Sequence, residues 1–151
     1  MKKKEKKVIG WREWVGMPDL GIKQIKAKVD SGARTSSLHA FDIELYTRRK
    51  VEYVKFTVQP DQKSKKGEIV CSAKVLEFRK IKSSNGQTEL RPVILTTIEL
   101  LGEEWEVEVT LTNRDEMGFR MLLGRESIRK KFLIDTGNSF FGLKNQSKDK
   151  V

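Results

Sequence analysis

Asp30-Ser31-Gly32-Ala33 carries one carboxylate into a Ser-Gly turn. A carboxylate there has two uses. It caps the turn through local backbone N–H groups, or it activates water against an amide bond. The second use needs two carboxylates within hydrogen-bond distance, sharing one proton. Their repulsion splits the two ionisations, so one stays charged as base while the other stays protonated as acid. One such turn supplies half of that pair. Two copies of the chain related by a two-fold axis supply both halves, because the axis brings the same loop in twice. The Ser31 hydroxyl is then available to bond across to the partner loop. Gly32 lets backbone N–H groups approach the carboxylates and takes angles that a side chain forbids.

Other chemistries find little here. Zinc sites want three or four Cys, His or carboxylate ligands at suitable spacing, and this chain has one histidine, His39, and one cysteine, Cys71, far apart. No metal is expected. Cys71 lies in Ile69-Val70-Cys71-Ser72-Ala73, which reads as a buried strand thiol rather than a nucleophile in a polar setting. His39 reads as a strand-edge residue at least as well as a general base. No glycine-rich phosphate loop is present, so no nucleotide or other cofactor is expected.

Lys and Arg number 31 against 21 Asp and Glu, a net charge of +10. Part of the excess sits in runs at the ends, which read as solvated tails over residues 1–7 and 145–151 around one domain at 8–144. Nucleic-acid binding, as in a basic RNA- or ribosome-associated protein, is the alternative that this charge raises. The aromatics, however, fall mostly at alternating strand positions that suit a core. The single cysteine excludes an intrachain disulfide and fits a reducing, cytoplasmic setting. No stretch approaches the roughly 18–20 apolar residues of a membrane helix, so no membrane association is expected.

The elements that must position Asp30 follow from hydrophobic period. Ile25, Ala27 and Val29 alternate with Lys26 and Lys28, a strand with one buried face running into the turn. Further strands are expected over Val8 to Val15, Phe41 to Leu45, Val51 to Val58, Glu68 to Ile81, Leu90 to Leu100, Trp105 to Leu111 and Phe119 to Leu123. Arg34 to Ala40 continues from the turn with Leu38 and Ala40 inward. Only Arg125 to Lys131 has helical character, and Phe132 to Ile134 closes the core. About eight short strands with one late helix argue for an all-β barrel or sandwich. Met121-Leu122-Leu123-Gly124-Arg125, apolar residues and then glycine at a strand-to-helix junction, is the kind of tight segment that passes beneath such a loop.

Asp30-Ser31-Gly32-Ala33, followed about ninety residues later by Leu122-Leu123-Gly124-Arg125 and a short helix, resembles the retropepsin-like aspartic proteases. The match is closer to one bacterial family of that fold, labelled ATP-dependent zinc proteases. Its signatures are similar to Ile9-Gly10-Trp11-Arg12-Glu13, to Lys26 through Ala40, to Arg91-Pro92-Val93-Ile94, to Leu111 through Met117 and to Phe119 through Arg125. The likeness runs over about residues 8–140. It implies a closed retropepsin-like β barrel with one short C-terminal helix, a homodimer, and Asp30 of each subunit as the catalytic pair. It implies Ser31, Gly32 and Ala33 as the active-site loop, with Leu122, Leu123, Gly124 and Arg125 as its support. It also implies an association with ATP-grasp glutamate ligases, and so a peptide or protein substrate carrying added glutamates. Neither zinc nor ATP finds residues to hold it in this sequence.

The substrate-facing residues are less determined. Arg34, Thr35, Ser37 and His39 follow the loop and are candidates, and a basic cleft there would suit an acidic peptide. Arg114 and Asp115 form either an internal pair in a turn or a substrate-facing pair. The flap over the site is a hairpin around Ser83 to Gly86 or around Pro60 to Gly67. Asp135-Thr136-Gly137 looks like a second protease triplet, but too little chain follows to build a second half around it, so it reads as a turn. A non-catalytic adaptor on the same fold is the second functional alternative.

Overall fold

The computed structural model describes residues 6–61, 67–82, 86–113 and 118–142. They form an all-β protein: β1 (Lys7–Gly10), β2 (Arg12–Met17), β3 (Ile22–Asp30), β4 (Ser36–His39), β5 (Phe41–Arg48), β6 (Val51–Val58), β7 (Ile69–Lys74), β8 (Glu77–Lys82), β9 (Thr88–Leu100), β10 (Glu103–Thr112), β11 (Met121–Gly124), one helical turn α1 (Arg125–Ile128), and β12 (Phe132–Asp135). No helix among the described residues is long and apolar enough to cross a membrane.

The main sheet has the order β10-β4-β11-β3-β2-β9-β8, and β10 also pairs with β9, so the pairings return on themselves. Its interior follows from the period-two alternation: Ile25, Ala27 and Val29 of β3 meet Leu38, Ile94, Ile98, Val109, Leu111, Met121 and Leu123 in one buried cluster. Strand β9 is long enough to serve two partners. Thr88 to Val93 pairs with β8, and Val93 to Leu100 with β10. A second sheet, β5-β6-β7, packs Val54, Phe56 and Val58 onto the same core, and β1 pairs with β12 in a two-stranded parallel sheet.

Two expected strands are each broken in two. Val8 to Val15 divides at Trp11, where the chain leaves β12 for β3. The Trp11 N–H donates to Asn138 O (2.9 Å) and its carbonyl accepts from Val29 N (2.8 Å). Glu68 to Ile81 divides at Val75 and Leu76, which hand the chain from the second sheet to the first. Val75 N–H donates to Glu52 O (3.0 Å) and Leu76 N–H to Val93 O (2.7 Å). The helix ends at Ile128 rather than continuing to Lys131, because Arg129 already turns to an extended backbone (ψ 148°) and Lys130 then enters the left-handed region (φ 72°), a turn that carries the chain into β12. Of the aromatics expected inside, Phe56 and Phe132 are buried, but Trp11, Trp14, Phe119 and Phe140 are only half-buried. Lys7, assigned to the N-terminal tail, opens β1 and reaches Leu101 O (3.2 Å) and Glu103 (3.5 Å). Residues 1–5 and 145–151 lie outside the described residues.

Candidate active-site loop

Parallel strands β3 and β11 end side by side, with Asp30 in register with Gly124 and Lys28 with Leu122. Beyond Asp30 the chain turns at once. Ala33 N–H donates to Asp30 O (3.1 Å), and Gly32 N–H donates to Asp30 Oδ1 (3.0 Å). Gly32 does not take up the left-handed region, as its expected freedom of angle would have allowed. Glycine is needed for closeness instead, since a Cβ there would stand 3.2 Å from Asp30 Oδ1. One carboxylate oxygen is thus fixed to its own turn, and Oδ2 has no hydrogen-bond partner among the described residues.

The loop rests on the β11–α1 junction. Arg125 N–H donates to Ala33 O (2.8 Å) and Glu126 N–H to Arg34 O (3.1 Å). The Arg125 guanidinium donates to Gly32 O (3.3 Å) and Ser31 O (3.5 Å). Gly124 lies so close beneath that an added Cβ would come within 2.6 Å of the Thr35 carbonyl carbon. Its N–H donates to Ser36 Oγ (3.0 Å), which is bonded to Ser127 Oγ (2.6 Å), both serines being buried. Ser37 Oγ meets Thr110 Oγ1 at 2.8 Å, and Thr110 Oγ1 also donates to Ser36 O (3.3 Å). Ser36, Ser127 and Thr110 escaped the sequence reading. A signal for Ser36 was present, because it shares the inward phase of Leu38 and Ala40.

The candidate substrate residues separate. Arg34 and Thr35 line a cavity of about 680 Å³ together with Glu77, Arg79, Trp105, Glu106, Glu108 and Glu126. The expected basic cleft is therefore mainly acidic. Arg79 of β8 spans it, bonded to Glu77 (2.7 Å) and Glu108 (3.0 Å) and donating to Thr35 Oγ1 (3.4 Å). The hydrogen bond to Glu77 leads in raising the Arg79 pKa above its ordinary value, so its charge is held firmly. His39, expected to face substrate, is only 4% exposed at the far end of β4, with its N–H on Arg120 O (2.8 Å) and its ring against Phe41. Arg114 and Asp115 lie outside the described residues, as do the tips of both candidate flap hairpins. Their arms differ: the connection between β6 and β7 belongs to the second sheet, whereas β8 and β9 belong to the sheet that carries Asp30. Asp135 forms a turn. Its carboxylate accepts from Asn138 Nδ2 (2.8 Å) and Gly137 N (2.9 Å), which lower its pKa in that order.

A second construction spans the two faces of β2, with Glu13 on the inner one and Arg12 and Trp14 on the outer. Glu13 is fully buried and accepts three backbone N–H groups, from Gly10 (2.6 Å), Phe141 (2.9 Å) and Gly142 (2.8 Å). The segment this anchors brings Phe140 onto Trp14, ring centroids 5.5 Å apart. The Arg12 guanidinium sits 4.6 Å from the Trp11 centroid and 4.9 Å from that of Phe140. Lys26 Nζ stands over Trp14 and Phe119 at 5.9 and 5.8 Å. Such contacts each contribute about 0.5–1 kcal/mol at exposed sites.

As for metal, no group of three or more His, Cys, Asp or Glu side chains comes together among the described residues to hold an ion. Cys71 and His39 are both buried, and burial pushes the Cys71 thiol up to about 11, away from the thiolate a metal requires.

An all-β chain with an Asp-Ser-Gly loop seated on an apolar-apolar-Gly strand end defines the retropepsin-like class. The chain belongs to the RimB-like family, described as retropepsin-like aspartic endopeptidase RimB, whose model matches residues 8–145. A "Probable alpha-L-glutamate ligase" of Shewanella pealeana is 53% identical over 133 residues, which are 88% of this chain and 29% of that protein. One of the same name from Desulfotalea psychrophila is 48% identical, covering 86% of this chain and 28% of its own length. The chain thus spans less than a third of these relatives. Among solved structures, protein Lpg0085 (DUF785) of Legionella pneumophila superposes with a TM-score of 0.76 at 28% identity, covering 91% of this chain and 98% of that one.

Proposed function

We propose that the chain is an aspartic peptidase whose catalytic dyad is Asp30 from each of two copies. The observation that carries this reading is the seating of Asp30. Its turn is tied by Gly32 and held from beneath by the β11–α1 backbone, while Oδ2 is left open. On this reading the ring of strand pairings is a retropepsin-like barrel. One Asp30, charged, takes a proton from water, and the water oxygen attacks the amide carbon. The other Asp30, protonated, donates to the carbonyl oxygen. As the resulting diol collapses, one of its hydroxyls gives its proton back to the second Asp30, the C–N bond breaks, and the first Asp30 passes the proton taken from water to the leaving nitrogen.

The second copy docks on the β1–β12 sheet. Val8 and Leu133 are neighbours in register there and are 43% and 55% exposed, an apolar pair left open among the described residues. The β8–β9 hairpin serves as the flap, because Arg79 ties its first arm to Thr35 just past the loop. The substrate is a peptide or protein carrying glutamates of the kind a glutamate ligase adds, a step that rests on the names of the relatives. The single buried Cys71 suits a reducing, cytoplasmic setting.

Asp30→Asn tests the assignment. Incubated with a peptide ending in several glutamates and followed by mass spectrometry, the native chain is expected to release shortened products. The variant should release none while keeping its fold and dimer, and cleavage by the variant at the native rate overturns the reading. The small share of each relative that this domain occupies favours a second reading, a non-catalytic module that serves a ligase. That reading expects the native chain to bind such a peptide and leave it intact.

A further inference from the structure

Asp30 and Lys28 lie two positions apart on β3, so their side chains leave the same face of the sheet about 6.6 Å apart along the strand. Arg12 of β2 and Leu122 of β11 flank Lys28 in register on either side. Lys26 is the next residue outward on that face. Among the described residues, Arg12, Lys26 and Lys28 have no acidic partner. Arg12 and Lys26 are held over aromatic rings instead, which fixes their positions without neutralising their charge. The Arg12 Nε–H is also buried without an acceptor. The cavity lined by Arg34 and Thr35, just past the loop, has the opposite character, with Glu77, Glu106, Glu108 and Glu126 against Arg34 and Arg79.

We infer that Lys28, with Arg12 beside it, is the specificity-determining pair of the site, taking the carboxylate of an acidic side chain next to the bond that Asp30 cleaves. This rests on the catalytic reading of Asp30 and names the face of β3 along which the substrate runs. An extended peptide presents alternate side chains about 6.6 Å apart, the interval between Asp30, Lys28 and Lys26 along β3. A run of acids therefore finds a cation at each step outward from the dyad. A nucleic acid would also meet cations and rings here, but the row starts from the Asp30 carboxylate itself, which repels a phosphate backbone. A peptide has its neutral scissile amide at that point.

The test uses Asp30→Asn as a binding-competent, non-cleaving chain and fluorescein-labelled hexaglutamate as probe. Lys28→Gln and Arg12→Gln, each added to it, are expected to weaken hexaglutamate binding about tenfold. Arg12→Lys should restore part of the loss, and Lys55→Gln on the second sheet should change nothing. In the cleaving chain, Lys28→Gln should raise KM for a glutamate peptide and leave kcat within about twofold. Unaltered binding by Lys28→Gln, which sits at an exposed position and spares the fold, overturns the inference. So does tighter binding of a single-stranded oligonucleotide of equal charge than of hexaglutamate by the chain with Asp30 intact. The two readings fail separately: loss of hydrolysis in Asp30→Asn with no effect of Lys28 removes only the specificity pair, whereas persistent hydrolysis in Asp30→Asn removes the dyad.

Discussion

A thiol and a carboxylate show how local surroundings decide what a residue does here. Cys71 is buried among β-strand neighbours, and desolvation alone raises its pKa from 9.0 to about 11. The sign follows. Between pH 9 and 11 the unfolded thiol ionises while the folded one keeps its proton, so the folded state loses stability over that window. At pH 7.5 the native protein is expected to resist alkylation by iodoacetamide and to react once unfolded in guanidinium, as counted by mass spectrometry. Asp30 is the contrary case. It ends a strand whose alternation is plain in the sequence, so its place at a turn was readable. The single bond from Gly32, which occupies one oxygen and leaves the other open, depends on the fold of the turn and was not.

At the scale of elements, strand phase was readable and strand partnership was not. Ile25, Ala27 and Val29 point inward as their alternation requires. Nothing local tells that Val8 to Val15 changes partner at Trp11, or that Glu68 to Ile81 changes sheet at Val75 and Leu76, since both crossings keep an extended backbone and a mixed pattern. The aromatics misled for a related reason. Alternation gives a face, and the outer face of β2 is itself partly covered, by Phe140 on Trp14 and by Arg12 stacked on Phe140. The contact of β11 with the loop was the more readable long-range feature, because glycine at that junction is demanded by sterics. Gly124→Ala puts a methyl within 2.8 Å of Arg34 O and Thr35 O, both backbone atoms unable to swing aside. It should cost about 1–3 kcal/mol in urea unfolding and distort the loop, so hydrolysis should fall further than stability does.

For the whole molecule, the proposed dyad needs two copies, so on that proposal an association constant governs activity. Leu133→Lys places a charge on the exposed apolar pair of the β1–β12 sheet and should leave the monomer folded, since the residue is 55% exposed. Sedimentation is expected to show dimer dissociation strengthened about tenfold or more, with specific activity falling on dilution far sooner than in the native chain. The same sheet lies beside the buried Glu13, and there the molecule sets its own minimal length. Phe141 and Gly142 donate two of the three N–H groups that carry that charge in the interior. A chain cut after Gly137 keeps all twelve strands and yet strands an anion in its core with only Gly10 to answer it. Such a cut should lower stability by about 3–5 kcal/mol, measured by denaturant unfolding. The residues past the final strand are therefore no appendage: where another domain follows this one, the junction has to fall beyond Gly142, because the solvation of one carboxylate depends on it.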